Sequence, residues 1–289
     1  PDAIGYNIQT SESDSFNSII LDHFTEQTSF IAKENFEWDT TYYWRVQPVL
    51  SNGEVGEWTD LSMFSIGPQE FNLTSEIFTQ DSFLYEYTVF GDWNNYRTSI
   101  VDIDGKEIWN SGLFGFMMNH VSEFGQLFGC SQISNGSGIE IDYNEHIVWN
   151  ATQSVDQHEF KQISNGNYMG FVSETELGPI PIGDLTSLFQ QLGYQADGIT
   201  NEFPFWAQKL VEFDSDTKEE IWSWNPHDYY SKQDTDLYGG TWWNSLGLGG
   251  GGGFHDWTHS NAFFFDEYES AIYISSRHLS RITKIDYPS

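Results

Sequence analysis

Positive charge is scarce in this 289-residue chain: lysine and arginine total 11 against 43 aspartates and glutamates, a formal net charge of −32. So few cations offer no basic track to a phosphate backbone, which excludes nucleic acid as a partner, and they disfavour anionic membrane surfaces. Cysteine is nearly absent. With Cys130 alone, no intrachain disulfide can form and cysteine usage leaves the redox compartment open. No apolar run approaches the ~20 residues of a membrane-spanning helix, so no membrane insertion is expected. What the chain does hold is aromatic side chains, at 17%. That is too many for a disordered polypeptide and assigns its glycines and serines to turns. The carboxylate excess suits a soluble protein of a salty medium, or one that holds divalent cations.

Residues 1–67 alternate in a β manner. Strands are expected at 6–10, 19–21, 29–31, 41–50, 56–58 and 62–65, with a turn at Ser51-Asn52-Gly53. Thr41-Tyr42-Tyr43-Trp44-Arg45-Val46, Gly56-Glu57-Trp58 and Phe64 resemble a fibronectin type III domain, which implies a seven-strand sandwich. Tyr6-Asn7-Ile8-Gln9 is similar to the third strand of that domain, so the first two strands are expected to be missing. A sandwich without them exposes an edge and an apolar face. A trimmed chain, or a strand added from another segment, would account for that.

Gly67-Pro68-Gln69 reads as a linker, and residues 68–289 then carry a loose repeat. An apolar-x-apolar-Asp run, a turn and an apolar-Trp pair recur as 101–109, 139–149 and 211–222, and Ile282-Thr283-Lys284-Ile285-Asp286 begins a fourth copy. Each copy is a hairpin with another β-type pair before it. Four strands per unit of ~40 residues or more is the period of a propeller blade. The expected fold is therefore all-β: a fibronectin type III-like sandwich at 1–67, then a β-propeller portion of four-stranded blades at 68–289 with fewer blades than closure needs. One short amphipathic helix is expected in an insertion at 184–193, N-capped by Asp184 and stopped by Gly193.

Chemistry concentrates in two hairpins. In the later one, His259 and Asn261 open a β-run that an acidic turn reverses, and the return run ends on Arg277. A hairpin brings its ends together. An imidazole, an amide and a guanidinium thus meet in a set suited to a tetrahedral anion such as sulfate or phosphate. The blander reading is a hairpin with solvated polar ends. His158 holds the equivalent place in the earlier hairpin, which turns at Asn165-Gly166. Two histidines at equivalent strand starts converge on a propeller's central channel.

His158 to Asn167, Glu220-Ile221-Trp222-Ser223-Trp224, Asp256 to Asn261 and Ser275-Ser276-Arg277 together resemble the aryl-sulfate sulfotransferase family over about residues 75–289. The resemblance implies a secreted, extracellular or periplasmic propeller enzyme. Such an enzyme moves a sulfuryl group from a phenolic sulfate ester to a histidine and then to a phenol, without metal or nucleotide. It also implies sulfate-binding and charge-stabilising roles for His158, His259, Asn261 and Arg277. The family's nucleophilic histidine belongs to a later blade that this chain does not reach, so no nucleophile is assigned and the fragment alone is expected to be inactive.

Other features carry less. His255-x-x-x-His259 has a metal-like spacing only on a helix, and the glycine run 249–253 with the β-type sequence after it opposes a helix there, so no metal site is expected. Asp214-Ser215-Asp216 and Asp102-Ile103-Asp104-Gly105 offer at most an incomplete calcium loop. Trp109, Trp149 and Trp222 are expected to pack blades, and Trp242-Trp243 to line an aromatic acceptor pocket. Asn72, Asn135 and Asn150 stand in glycosylation sequons. The competing reading is a non-enzymatic surface or filament-forming scaffold that self-associates by strand addition through the incomplete sandwich.

Overall fold

A computed structural model describes residues 3–28, 30, 32, 35–71, 76, 87–132, 136–234 and 253–287. The chain divides into two compact units: Pro1–Leu84 with Val101–Gly112, and Tyr85–Ile100 with Leu113–Ser289.

In the first unit, β1 (Ala3–Ser11), β2 (Ile19–Thr25), β3 (Thr41–Leu50) and β4 (Ser62–Ser65) form one antiparallel sheet in the order β2-β1-β3-β4. Tyr42 anchors it, fully buried against Phe36 and Phe64 at ring separations of 4.8 and 5.5 Å. Arg45 reaches back from β3 to Gln9 Oε1 through Nε and Nη2, at 3.1 and 2.7 Å. Its guanidinium lies over the Phe16 and Trp58 rings, so its charge is spent within the unit. The strand expected at 56–58 does not form. Gly56 and Thr59 donate single backbone bonds of 2.9 Å to Pro48 and Val46 instead. Pro48 has no N–H to return, and a reciprocal ladder cannot close beside it. Residues 29 and 31 of the expected strand at 29–31 lie outside the described residues.

Strand β5 (Tyr87–Asp92) precedes β6 (Arg97–Asp102) and β7 (Glu107–Asn110), which carry the first repeat copy. In the second unit, β8 (Phe116–Val121), β9 (Leu127–Ser131), β10 (Ser137–Ile141) and β11 (Ile147–Ser154) make a four-stranded antiparallel meander. A second meander follows in β12 (Phe160–Gln162), β13 (Tyr168–Pro179), β14 (Asn201–Phe213) and β15 (Glu220–Trp224), with β16 (His255–Asp256) parallel to β14. Strands β17 (Ser260–Asp266), β18 (Ala271–Ser276) and β19 (Arg281–Asp286) form a third sheet. The fold is all-β, with consecutive strands paired as in propeller blades, and no sheet closes into a barrel among the described residues.

The repeated aspartate does local work. In the three complete copies an aspartate Oδ1 accepts two backbone amides of the following turn: Asp104 and Lys106 on Asp102, Asn144 and His146 on Asp142, Asp216 and Thr217 on Asp214; Asp266, outside the repeat, does the same for Tyr268 and Glu269. Short polar side chains that bond their own backbone in this way stop a strand and reverse it. Between the meanders, Trp149 is buried and stacks on Tyr168 at 3.9 Å, beside Phe160 and Phe213. A ring of that size removes ~150–250 Å² from water, which makes such contacts the main force holding sheet to sheet. Trp222 sits at the edge of a second cluster and meets Tyr287 at 5.3 Å.

The insertion helix exists as α1 (Thr186–Gln191). It packs the fully buried Phe189 beside Phe203 and ends at Gly193, φ +98°. Its cap differs from the expected one. Leu185 is the N-cap and makes no side-chain cap bond, while Thr186 Oγ1 accepts the Gly183 amide at 2.8 Å. That hydroxyl holds the turn before the helix and leaves Asp184 outside it. A second short helix, α2 (Pro226–Tyr229), starts where Asn225 Oδ1 accepts from the His227 amide at 3.1 Å. The Asn-Pro pair was its signal in the sequence.

Candidate functional site

The site grows from two short aspartate–histidine segments of the second unit. Asp156-Gln157-His158 forms the turn that feeds β12. Asp156 Oδ1 accepts the His158 backbone amide at 3.0 Å and its Nδ1 at 2.5 Å. Two other elements hold this turn: Asn119 Nδ2 donates to the Gln157 carbonyl at 2.8 Å, and the Tyr96 hydroxyl bonds Gln157 Oε1. The Trp93 ring stands edge-on to His158 at 5.1 Å.

Asp256-Trp257-Thr258-His259 repeats the device one sheet later, with His259 Nδ1 bonded to Asp256 Oδ2. His259 has φ +42°, a left-handed backbone uncommon for any residue but glycine. That conformation takes its side chain off the alternation of β17. Trp257 anchors the segment, fully buried with its indole Nε1 donating to the Asp234 carbonyl at 2.9 Å.

Pairing of Ser260 with Ser276 brings the ends of the β17–β18 hairpin together. The Arg277 amide donates to the His259 carbonyl at 3.2 Å, and Arg277 Nη1 lies 3.4 Å from His259 Nε2. The rings of His158 and His259, about a hundred residues apart in the chain, have centroids 5.0 Å apart at 73°. Thus His158, His259 and Arg277 share one place. Asn261 lies half-buried on β17, two residues beyond His259. The His158 and His259 side chains retain 23% and 20% exposure over carboxylates that keep 7% and 11%, so the acids are shielded and the imidazoles remain reachable. A carboxylate on Nδ1 fixes the tautomer and leaves the lone pair on Nε2. Arg277 meets His259 at that Nε2 edge. When those Nε2 atoms carry protons, two imidazoles and a guanidinium donate into one space and make a receptor for a tetrahedral oxyanion.

Sequence reasoning gave no place to Asp156, Trp93 and His278, and named Asp256 only as the start of a motif. The two aspartates were nevertheless available as Asp-x-His and Asp-x-x-His spacings; nothing in the sequence singled out Trp93. His278 follows Arg277, and its amide donates to the Thr258 carbonyl at 3.1 Å. Its Nδ1 donates to the Asp256 carbonyl at 2.6 Å and lies 3.8 Å from Asp256 Oδ2. Its ring sits 4.5 Å from that of His259, tilted by 34°. Burial pushes the His278 pKa down against the pull of the Asp256 carbonyl and carboxylate, and nearby His259 and Arg277 lower it further. Burial, helped by His278, holds His255 down to about 2, so that ring is neutral. Asp256, His259 and His278 each offer a ligand atom, all within 4.8 Å of one another.

The remaining sequence candidates fall elsewhere. Asn150 is half-buried on β11; its Oδ1 accepts from Lys218 Nζ at 2.8 Å and its Nδ2 donates to the Ala151 carbonyl at 3.2 Å. Asn72, Asn135, Trp242 and Trp243 lie outside the described residues. The carboxylates of Asp102 and Asp214 face the backbone amides of their own turns.

A family model described as arylsulfotransferase (ASST) matches residues 92–289, more than half of the chain. No curated protein matches. Among solved structures, a protein of unknown function from Bacteroides caccae is similar at a TM-score of 0.35 and 8% identity, over 98% of this chain and 90% of that one.

Proposed function

The chain belongs to the arylsulfotransferase family, by a match that runs from residue 92 to residue 289, and on that premise we propose that it serves the transfer of a sulfuryl group from a phenolic sulfate ester to a phenol. The observation that carries this reading is the convergence of His158, His259 and Arg277, with ring centroids 5.0 Å apart and the guanidinium 3.4 Å from an imidazole nitrogen.

In the proposed reaction a neutral imidazole nitrogen attacks sulfur and the aryl oxygen leaves with its bonding pair as phenolate. A protonated imidazole supplies that oxygen's proton. The acceptor phenol then passes its proton to the imidazole that gave one up, its oxygen attacks the sulfur, and the S–N bond breaks with its pair returning to the ring nitrogen. Arg277 holds the sulfuryl oxygens as charge gathers on them. His158 and His259 bind and exchange protons through Nε2, with Asp156 and Asp256 as positioning residues behind them. Asn261 is proposed as an amide donor, and Trp242 and Trp243 as walls for the acceptor ring. No nucleophile is assigned among these residues, and no metal or nucleotide is needed for the transfer. An extracellular or periplasmic setting fits the family and the acidic composition.

A second reading has its own observation. The first unit's sheet presents an apolar face on which Ile8, Leu21, Trp44 and Val46 line a cleft of about 590 Å³. Trp44, on this face, remains 36% exposed. With the order β2-β1-β3-β4, this supports a fibronectin type III-like unit and a scaffold that assembles by strand addition.

A chromogenic aryl sulfate, assayed with and without phenol on the complete gene product, separates the two. The enzyme reading expects phenol-dependent colour release, with kcat/KM lowered about 10²–10³-fold in Arg277→Ala and in His259→Ala. No turnover, together with concentration-dependent polymers in sedimentation, would favour the scaffold.

A further inference from the structure

We propose that Asp256, His259 and His278 bind a divalent first-row transition-metal ion of the zinc or cobalt class, and that the bound ion takes His259 out of sulfuryl transfer. The metal site stands on geometry alone; its effect on transfer rests on the function proposed above.

The His259 and His278 rings lie side by side, 4.5 Å apart, and both turn their Nδ1 edges to one carboxylate. Asp256 Oδ2 is bonded to His259 Nδ1 and stands 3.8 Å from His278 Nδ1. Ligands about 2.0–2.1 Å from a tetrahedral zinc ion are themselves roughly 3.4 Å apart. The 3.8 Å gap therefore needs little adjustment. The hydrogen-bonded His259 ring must draw back by roughly 1 Å to admit an ion, and His278 must release the Asp256 carbonyl.

A separate observation points to a missing cation. Asp256 is only 8% exposed, and its Oδ1 is buried without a hydrogen bond among the described residues. A buried carboxylate oxygen with no donor is costly, and an ion held through both Asp256 oxygens, Oδ2 toward the two imidazoles and Oδ1 beside it, would satisfy it. Two imidazoles and one carboxylate select zinc, cobalt or nickel. Calcium and magnesium prefer an all-oxygen shell. Arg277 approaches His259 at Nε2, the opposite ring edge, so the imidazole stands between guanidinium and ion. The net charge of −32 favours accumulation of cations.

The consequence for transfer follows from proton count. An ion on His259 Nδ1 takes the lone pair of that nitrogen, so the ring's single proton, now shared between Nδ1 and Asp256, must move to Nε2 for the ring to stay neutral. That nitrogen then donates where it had accepted. Its lone pair is gone, and it meets Arg277 donor to donor. Metal binding and sulfuryl transfer thus exclude one another at His259.

Cobalt(II) titration of chelator-treated protein tests this by visible d–d absorption, alongside imidazole nitrogen NMR with zinc. The expected result is one saturable tetrahedral site, with the nitrogens of His259 and His278 shifting while those of His158 stay in place. His278→Ala should weaken cobalt binding at least about tenfold, with circular dichroism confirming its fold. Should that variant not fold, the wild-type NMR shifts decide. No saturable binding, shifts at other histidines, or an unchanged affinity in folded His278→Ala would overturn the site. Zinc should abolish aryl sulfate turnover and a chelator should restore it. Turnover by the complete gene product that persists with the site filled would overturn the exclusion alone, and a complete gene product that binds cobalt as described but never turns over aryl sulfate refutes the sulfotransferase reading and leaves the site standing.

Discussion

The single thiol shows how far burial sets the chemistry of one side chain. Cys130 is 1% exposed, and its Sγ faces Asn119 Oδ1 and the carbonyls of Val155 and Asp156. Burial, reinforced by the Asp156 charge, pushes its pKa up to about 12. The thiolate is the reactive form, so native protein at pH 8 is expected to resist iodoacetamide and to react once unfolded in urea. The sign also sets a stability trend. Between about pH 9 and 12 the unfolded chain loses a proton that the native chain keeps, so stability falls as pH rises through that window. Cys130→Ala should flatten that slope. Rapid labelling of native protein at pH 8 would show that the thiol is not enclosed. Residue by residue, the site was partly legible. The meeting of His259 with Arg277 was legible because a hairpin joins its ends, and that of His158 with His259 because the two hold equivalent places in their hairpins. His278 was not, since its place depends on the 3₁₀ turn Arg277–Leu279 and on amides reaching back to Thr258 and His259.

At the scale of elements, the hairpins were legible because two local signals agree: period-two alternation and an aspartate that bonds the turn after it. Where backbone chemistry breaks such agreement, the reading failed. Pro48 removes the donor that residues 56–58 needed for a ladder, and the Thr186 hydroxyl takes over the turn that Asp184 was expected to cap. The same scale sets a packing test. A Cβ on Gly129 would lie 2.0 Å from the Met117 carbonyl oxygen and 2.8 Å from its carbon. These are backbone atoms of the paired strand β8, which cannot swing aside. Gly129→Ala should therefore destabilise the chain by about 2–3 kcal/mol, read as a lower urea midpoint at unchanged slope. An unchanged midpoint would mean that β8 and β9 are not in the register Met118 to Gly129.

For the whole molecule, composition excluded more than it identified: −32 of net charge removed nucleic acid from consideration but named no substrate. Long-range order was legible only through the repeat. Once successive meanders are read as blade-like units, histidines at matching places meet. The account's central claim is that His158, His259 and Arg277 act on one anion. A double-mutant cycle measures this directly, by isothermal titration of an arylsulfonate that cannot transfer its sulfur group. The protein series is wild type, His158→Ala, Arg277→Ala and the double variant. Groups that share one ligand couple, so the single losses should exceed additivity with an interaction of at least about 1 kcal/mol. Losses that add within about 0.3 kcal/mol, or a wild-type protein that does not bind the sulfonate, would contradict the account.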